Sequence, residues 1–177
     1  TGRAFVDSSG VFEKTWAQRS GLGWIGKNSL LITPRFGSFV FIGELIITAA
    51  LEPDEPFEDQ CGNCKKCMDA CPNKAIVAER TLDARKCISF HTIEKKEENN
   101  RIPAIDPANH VYGCDICQNV CPYNNNLEPK QPGEFIPKPG LLDMSAKDWF
   151  TMDEQKFNAF FRGTVVQRIG FKRLQRN

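Results

Sequence analysis

The spacing of apolar positions changes several times along this chain, and each change marks an expected element. Residues 4–7 read as the end of a short strand leading to Asp7, after which Ser8 or Ser9 caps a helix through about Arg19. Residues 29–33 and 38–48 are β-branched and aromatic runs, and Pro34-Arg-Phe-Gly37 between them predicts a hairpin or bulged turn. An acidic, proline-rich stretch at 51–57 then interrupts the pattern, so a domain boundary is expected there. Residues 83–94 read as a helix carrying Cys87, followed by a charged turn at 95–100. Prolines between 127 and 139 preclude long regular structure and predict a surface strap. Helices are expected again at 145–150, 153–161 and 163–176.

Length and charge narrow this picture. With 177 residues and 41% hydrophobic content, the chain is sized for one ordinary domain or two small ones with a real core. The net charge of +1 is unevenly spread, because no acidic residue follows Glu154. Arg168, Lys172 and Arg176 recur at i, i+4 and i+8, which would make one face of the last helix cationic. Such a face is ordinarily solvated; phosphate binding is the sharper reading. Nothing resembles a signal peptide or a membrane span of about 20 apolar residues. The chain opens without methionine and stops inside a helical pattern, so it is expected to be an internal piece of a longer protein.

The chemistry concentrates in eight cysteines. Cys61-Gly-Asn-Cys-Lys-Lys-Cys-Met-Asp-Ala-Cys-Pro72 is the run that wraps one 4Fe–4S cluster with three thiolates and sends the fourth to a second cluster. Cys114-Asp-Ile-Cys-Gln-Asn-Val-Cys-Pro122 repeats its ending, and Cys87 supplies the missing member. The crossing rule assigns Cys61, Cys64, Cys67 and Cys121 to one cluster and Cys71, Cys87, Cys114 and Cys117 to the other. A mononuclear zinc site would favour paired C-x2-C knuckles set well apart, and disulfides suit small secreted chains.

Other residues admit a plain and a functional reading. Asp7 is a cap or turn residue, or a functional group exposed at the carboxyl end of a strand. The glycines of Ser20-Gly-Leu-Gly-Trp-Ile-Gly-Lys-Asn28 make a tight helix-to-strand connection, or let Lys27 and Asn28 meet a bound cofactor. The run follows a helix, which excludes a dinucleotide fingerprint. His91, one turn from Cys87, approaches a cofactor or serves as a hydrogen-bonded packing residue.

Val6-Asp7-Ser8, then Gly21-Leu-Gly-Trp-Ile-Gly-Lys-Asn28 leading to Gly43-Glu44-Leu45, and then the two cysteine runs together resemble the epoxyqueuosine reductases. The resemblance implies a cytoplasmic, monomeric enzyme of tRNA modification that carries two 4Fe–4S clusters and base-off cobalamin, with no membrane association. It would take electrons from a low-potential donor and reduce epoxyqueuosine to queuosine at the wobble position of tRNA. It implies Asp7 as the proton donor, a role that needs an apolar site to lift an aspartate above its usual pKa of about 3.9. Asp7, Asn28, Leu31, Ile42 and Ser89 would line the corrin, and Arg168, Lys172 and Arg176 are the candidate tRNA contacts. The fold expected is α+β: residues 1–56 as the later part of a cobalamin-binding α/β domain, 57–128 as a two-cluster ferredoxin-like domain, and 129–177 as a strap and helical extension. The competing readings are a reductive-dehalogenase-like reductase of a small molecule and a non-catalytic two-cluster electron-transfer module.

Overall fold

The structure is a computed structural model and describes residues 10–96, 105–125, 127 and 136–177. The expected strand at 4–7, with Asp7 and the caps Ser8 and Ser9, lies outside the described residues, as does most of the strap. Contacts divide the chain into two units, each assembled from separate segments.

The first unit comprises residues 1–70, 76–82 and 117–127. Helix α1 (Glu13–Arg19) ends where expected but begins at Glu13, after Phe12, which makes no side-chain cap bond. Glu13 in the first turn and Arg19 in the last complement the helix dipole. Gly21, at φ +67°, turns the chain out of the helix into strand β1 (Trp24–Ile25), which pairs antiparallel with β2 (Leu31–Ile32). The register sets Trp24 opposite Ile32. Only glycine fits before it, because a Cβ at Gly23 would stand 2.0 Å from the Ile32 carbonyl oxygen.

The expected turn at 34–36 is present and closes through a bridge between Thr33 and Gly37. The expected strand at 38–48 is not: these residues form no ladder among the described residues. A strand exists only where a neighbour takes up its backbone groups, and apolar β-branched composition cannot supply that partner. Phe41 and Leu45 are consequently 89% and 86% exposed. Residues on both sides of the acidic 51–57 stretch share this unit, and Phe57 N–H donates to Gln18 O. Helix α2 (Lys66–Ala70), the hairpin β3 (Ile76–Ala78) with β4 (Thr81–Leu82), and helix α3 (Ile116–Asn119), whose later residues fall here, complete the unit. Its core is Trp24, Ile32 and Cys121, with Phe57, Cys61 and Tyr123 packed around them.

The second unit comprises residues 71–75, 83–116 and 128–177. The expected helix at 83–94 is broken at Cys87. Asp83 accepts from Arg85 N–H and starts a 3-10 turn (Ala84–Lys86), Cys87 is extended (φ −84°, ψ 125°), and a π-helical turn follows (Phe90–Glu94). The last helices are α4 (Ala146–Phe150), α5 (Glu154–Phe160) and α6 (Gly170–Arg176). Ser145 and Asp148 form a capping box on α4, and Asp153 caps α5. The single helix expected at 163–176 is instead a 3-10 segment (Val165–Ile169) and α6, separated at Gly170 with φ +76°. Phe157, Phe161, Ile169 and Leu174 form the core here. Among the described residues no helix is long and apolar enough to cross a membrane.

Candidate metal centre

In the first unit the cysteine loop is held from three directions. Cys61, Cys64, Cys67 and Cys121 line one recess with Lys27, Asn28, Ile32, Lys66, Pro122 and Tyr123. Helix α2 carries Cys67, and Cys121 leads into the 3-10 turn Pro122–Asn124. Burial pushes the Cys67 and Cys121 thiols above their ordinary pKa, as do neighbouring cysteines, so a metal must displace protons to bind here. Among the described residues no three His, Cys, Asp or Glu side chains converge on one ion-sized point. A cuboid cluster asks for a different arrangement, one thiolate at each of four separate irons.

The loop's outer supports come from the glycine-rich segment and the β3–β4 turn. Lys27 is 4% exposed; its Nζ lies 2.8 Å from Glu79 Oε1 and donates to Gly62 O at 2.7 Å. The hydrogen bond from Lys27 lowers the Glu79 pKa, and the same bond raises that of Lys27. Lys27 is therefore committed to the cysteine loop and to Glu79. Asp59 accepts from Cys61 N–H at 3.0 Å and pairs with Arg80, whose Nε donates to Ile25 O at 2.9 Å. Burial opposes ionisation of Asp59, yet the Cys61 N–H and Arg80 hold its pKa below the ordinary value. Trp24 Nε1–H points at Cys61 Sγ, 3.4 Å away.

Sequence reading missed Trp24, Asp59, Glu79 and Arg80. Glu79 and Arg80 lie far along the chain from their partners, and no local spacing marks them. Trp24 stood inside the glycine-rich motif, which was the available signal.

In the second unit Cys71, Cys87 and Cys114 come together closely enough that Cys87 and Cys71 raise the Cys114 pKa, after burial, the larger cause. Cys71 Sγ also accepts from Ala75 N–H at 3.2 Å. Cys117, three residues after Cys114, lies in α3 and falls in the first unit. His91 takes the plain reading: it is buried, and its Nε2 lies 2.7 Å from Arg85 O.

The residues expected around a corrin are not alike. Asn28 and Leu31 are each 4% exposed and leave little surface for a ligand. Asn28 donates to Cys117 O at 3.5 Å and accepts from Leu30 N–H at 3.2 Å. Ile42 and Ser89 are half-buried, the first in unit one and the second in unit two. Beside Asn28, Ser29 holds φ 65°, and its hydroxyl is buried without a hydrogen-bond partner. That is an unsatisfied polar group of the kind a bound ligand completes.

The cationic triad also separates. Arg168 pairs with Glu94 at 2.7 Å, and Arg176 donates to Lys95 O at 2.9 Å and His91 O at 2.6 Å. The Arg176 guanidinium, with Arg173 on Ile93 O, satisfies carbonyls at the end of the π-helical turn, where helix termini leave acceptors unpaired, while Arg168 holds the Glu94 carboxylate. Lys172 is exposed and borders a recess with Lys96, Glu154 and Arg173.

Comparison with known proteins places this geometry. Residues 60–124 match a 4Fe-4S double cluster binding domain. Over 176 residues the chain is 46% identical to the epoxyqueuosine reductase of Cellulophaga algicola, covering 99% of this chain and 58% of that relative. A crystal structure of epoxyqueuosine reductase with an epoxyqueuosine-modified tRNA-Tyr stem loop superposes with a TM-score of 0.82 at 34% identity, covering 98% of this chain and 46% of that one. An epoxyqueuosine reductase from Bacillus subtilis, described with its catalytic aspartate loop swung out of the active site, gives a TM-score of 0.76 at 36% identity, over 93% of this chain and 44% of that one. The chain thus spans about half the length of these relatives, and over nearly all of its own length it is related to them by sequence and by fold.

Proposed function

We propose that this chain is the cluster-carrying part of an epoxyqueuosine reductase, acting on tRNA through two 4Fe–4S clusters and cobalamin. The observation that carries the proposal is the recess where Cys121 joins Cys61, Cys64 and Cys67, within a chain related to these reductases along almost its whole length. The second cluster is assigned to Cys71, Cys87, Cys114 and Cys117 by the crossing rule.

Bound clusters and cobalamin would supply the two electrons that, with two protons, convert the epoxide to an alkene and water. The chain's own residues divide the remaining tasks among them. The cysteines exchange protons for iron and fix the clusters' positions. The Glu79–Lys27 and Arg80–Asp59 pairs lock the first cysteine loop against the β1–β2 hairpin. Asp7 is the proton donor in this reading; a positioned general acid typically contributes about 10²–10⁴-fold. The catalytic aspartate loop described for the Bacillus subtilis protein supports an aspartate in that role. Asn28, Leu31, Ile42 and Ser89 belong to the cobalamin side of the proposal, and the orphaned Ser29 hydroxyl beside Asn28 adds a polar group there. With Arg168 and Arg176 engaged internally, Lys172 is the member of the basic triad best disposed toward a tRNA phosphate.

The test uses purified protein carrying this chain, reconstituted anaerobically with iron, sulfide and cobalamin and given a low-potential reductant. Mass spectrometry of epoxyqueuosine-containing tRNA should show a cobalamin-dependent loss of one oxygen. Intact clusters and bound cobalamin without that conversion would refute the assignment in favour of a small-molecule substrate; intact clusters that take up no corrin would favour an electron carrier. In the active protein Asp7→Asn should keep both cofactors and lose turnover by about 10²-fold or more; near-normal activity would remove Asp7 from the mechanism.

A further inference from the structure

The indole of Trp24 is the least ordinary group near the first cysteine loop. It is 1% exposed, stacked on Phe57 with ring centroids 5.6 Å apart and held edge-on by Tyr123 at 4.6 Å and 77°. Tyr123 is itself fixed by its hydroxyl, which donates to Gln60 O at 2.9 Å. On the backbone side, pairing opposite Ile32 and the absent side chain of Gly23 hold Trp24 against β2. An indole can only donate, and its donor ends 3.4 Å from Cys61 Sγ. A ring stacked on Phe57, packed against Tyr123 and fixed along its backbone is restrained in the direction that aims this N–H at Cys61.

We propose that Trp24 is a positioning residue that sets the reduction potential of the cluster held by Cys61, Cys64, Cys67 and Cys121, through the N–H···S bond to Cys61. This rests on the reading that those four thiolates hold a 4Fe–4S cluster. A reduced cluster carries one more negative charge than an oxidised one, and that charge spreads onto the cysteine sulfurs. A donor aimed at a sulfur stabilises the reduced form more and raises the potential. The bond is partly buried, with Ile32, Phe57 and Tyr123 packed around the indole, and reduced screening there strengthens it. In the second unit Cys71 Sγ has a backbone donor, Ala75 N–H. That backbone donor is retained whatever side chain stands at position 75, whereas the donor to Cys61 is a side chain that a substitution can delete.

The experiment is a redox titration followed by electron paramagnetic resonance, on protein carrying this chain with both clusters assembled, as wild type and as Trp24→Phe. Phenylalanine keeps an aromatic ring in place and deletes the donor. The expected result is that one cluster becomes harder to reduce by roughly tenfold in its one-electron equilibrium constant, about 59 mV, while the other is unchanged. Resonance Raman should show the Fe–S(Cys) stretching bands moving upward, a change that a purely structural role would not produce. Full occupancy with both potentials unmoved, or with both moved alike, overturns the tuning role and leaves the cluster assignment standing. If Trp24→Phe cannot hold its cluster, wild-type protein labelled with ¹⁵N in the indole decides the matter. Electron–nuclear double resonance should then detect that nitrogen and its exchangeable proton coupled to a reduced cluster, and the absence of both overturns the proposal. Failure of wild type to assemble a cluster on these cysteines would sink the underlying reading itself, a result distinct from an unmoved potential.

Discussion

At Gly23 a hydrogen atom stands where any other residue would drive a methyl group into the backbone of β2. The missing Cβ would meet Ile32 O at 2.0 Å and its carbonyl carbon at 2.8 Å, and neither can swing away as a flexible side chain would. Gly23→Ala should cost about 3 kcal/mol, the upper part of the usual range for overpacking, read as a lower urea midpoint at unchanged slope. An unchanged midpoint would mean that the two strands do not approach this closely. Lys27 and Glu79 give a pH-dependent test. The Glu79 carboxylate has a pKa below its ordinary 4.5, so its stabilising contribution is present above that value and is lost as pH falls through the lowered one. Lys27 is raised above its ordinary 10.5, so its contribution is present below that value and is lost as pH rises through the higher one. The difference in Tm between wild type and Glu79→Gln should be full from about pH 5 to pH 10 and close on both sides. A difference constant through the acid range would remove the pairing as a source of stability. Neither partner's role was legible in sequence, because hydrogen bonding and burial across distant segments created it.

Elements were legible where local chemistry decides them. Ser145 and Asp153 announce α4 and α5 because a short oxygen-bearing side chain before an amphipathic run satisfies the first amides in any context. Ser145→Ala should lower stability by about 1 kcal/mol, measured by thermal or urea unfolding. Elements were illegible where tertiary demands overrode propensity. Periodicity carried residues 83–94 and 163–176 as continuous helices, but Cys87 sits extended between two turns, and Gly170 takes a left-handed φ that breaks the second. With that break the cationic stripe dissolves into separate tasks. Arg176→Ala should therefore reduce thermal stability, because its two carbonyl acceptors lose their donor. Lys172→Ala should leave stability unchanged while weakening tRNA binding and reducing the salt slope by about 1. Equal losses of stability in both variants would contradict this division of labour.

For the whole molecule the cysteine pattern was the most legible feature, since iron dictates the spacing of its ligands and packing can only accommodate it. The crossing assignment separates sharply from a sequential one in pairs of substitutions. Cys61→Ser with Cys121→Ser should retain roughly four of about eight irons per chain, because both changes strike one cluster. Cys61→Ser with Cys71→Ser should lose both clusters, and iron and sulfide analysis reads the difference directly. The reverse pattern would establish that each run serves its own cluster. Less legible was how the chain divides, because neither unit is continuous. The first returns for residues 76–82 and 117–127, while 71–75 belongs to the second.

That interleaving has a consequence for how the molecule comes into being. Cys61 and Cys121, which share the first recess, are 60 residues apart in the chain. At a translation rate of about 5–20 residues per second, the third thiol, Cys67, emerges from the ribosome roughly 3–11 seconds before the fourth. Until then the nascent chain offers an incomplete ligand set, open to oxidation and to capture by the wrong metal. A cluster on those four cysteines would therefore be completed only after Cys121 has emerged.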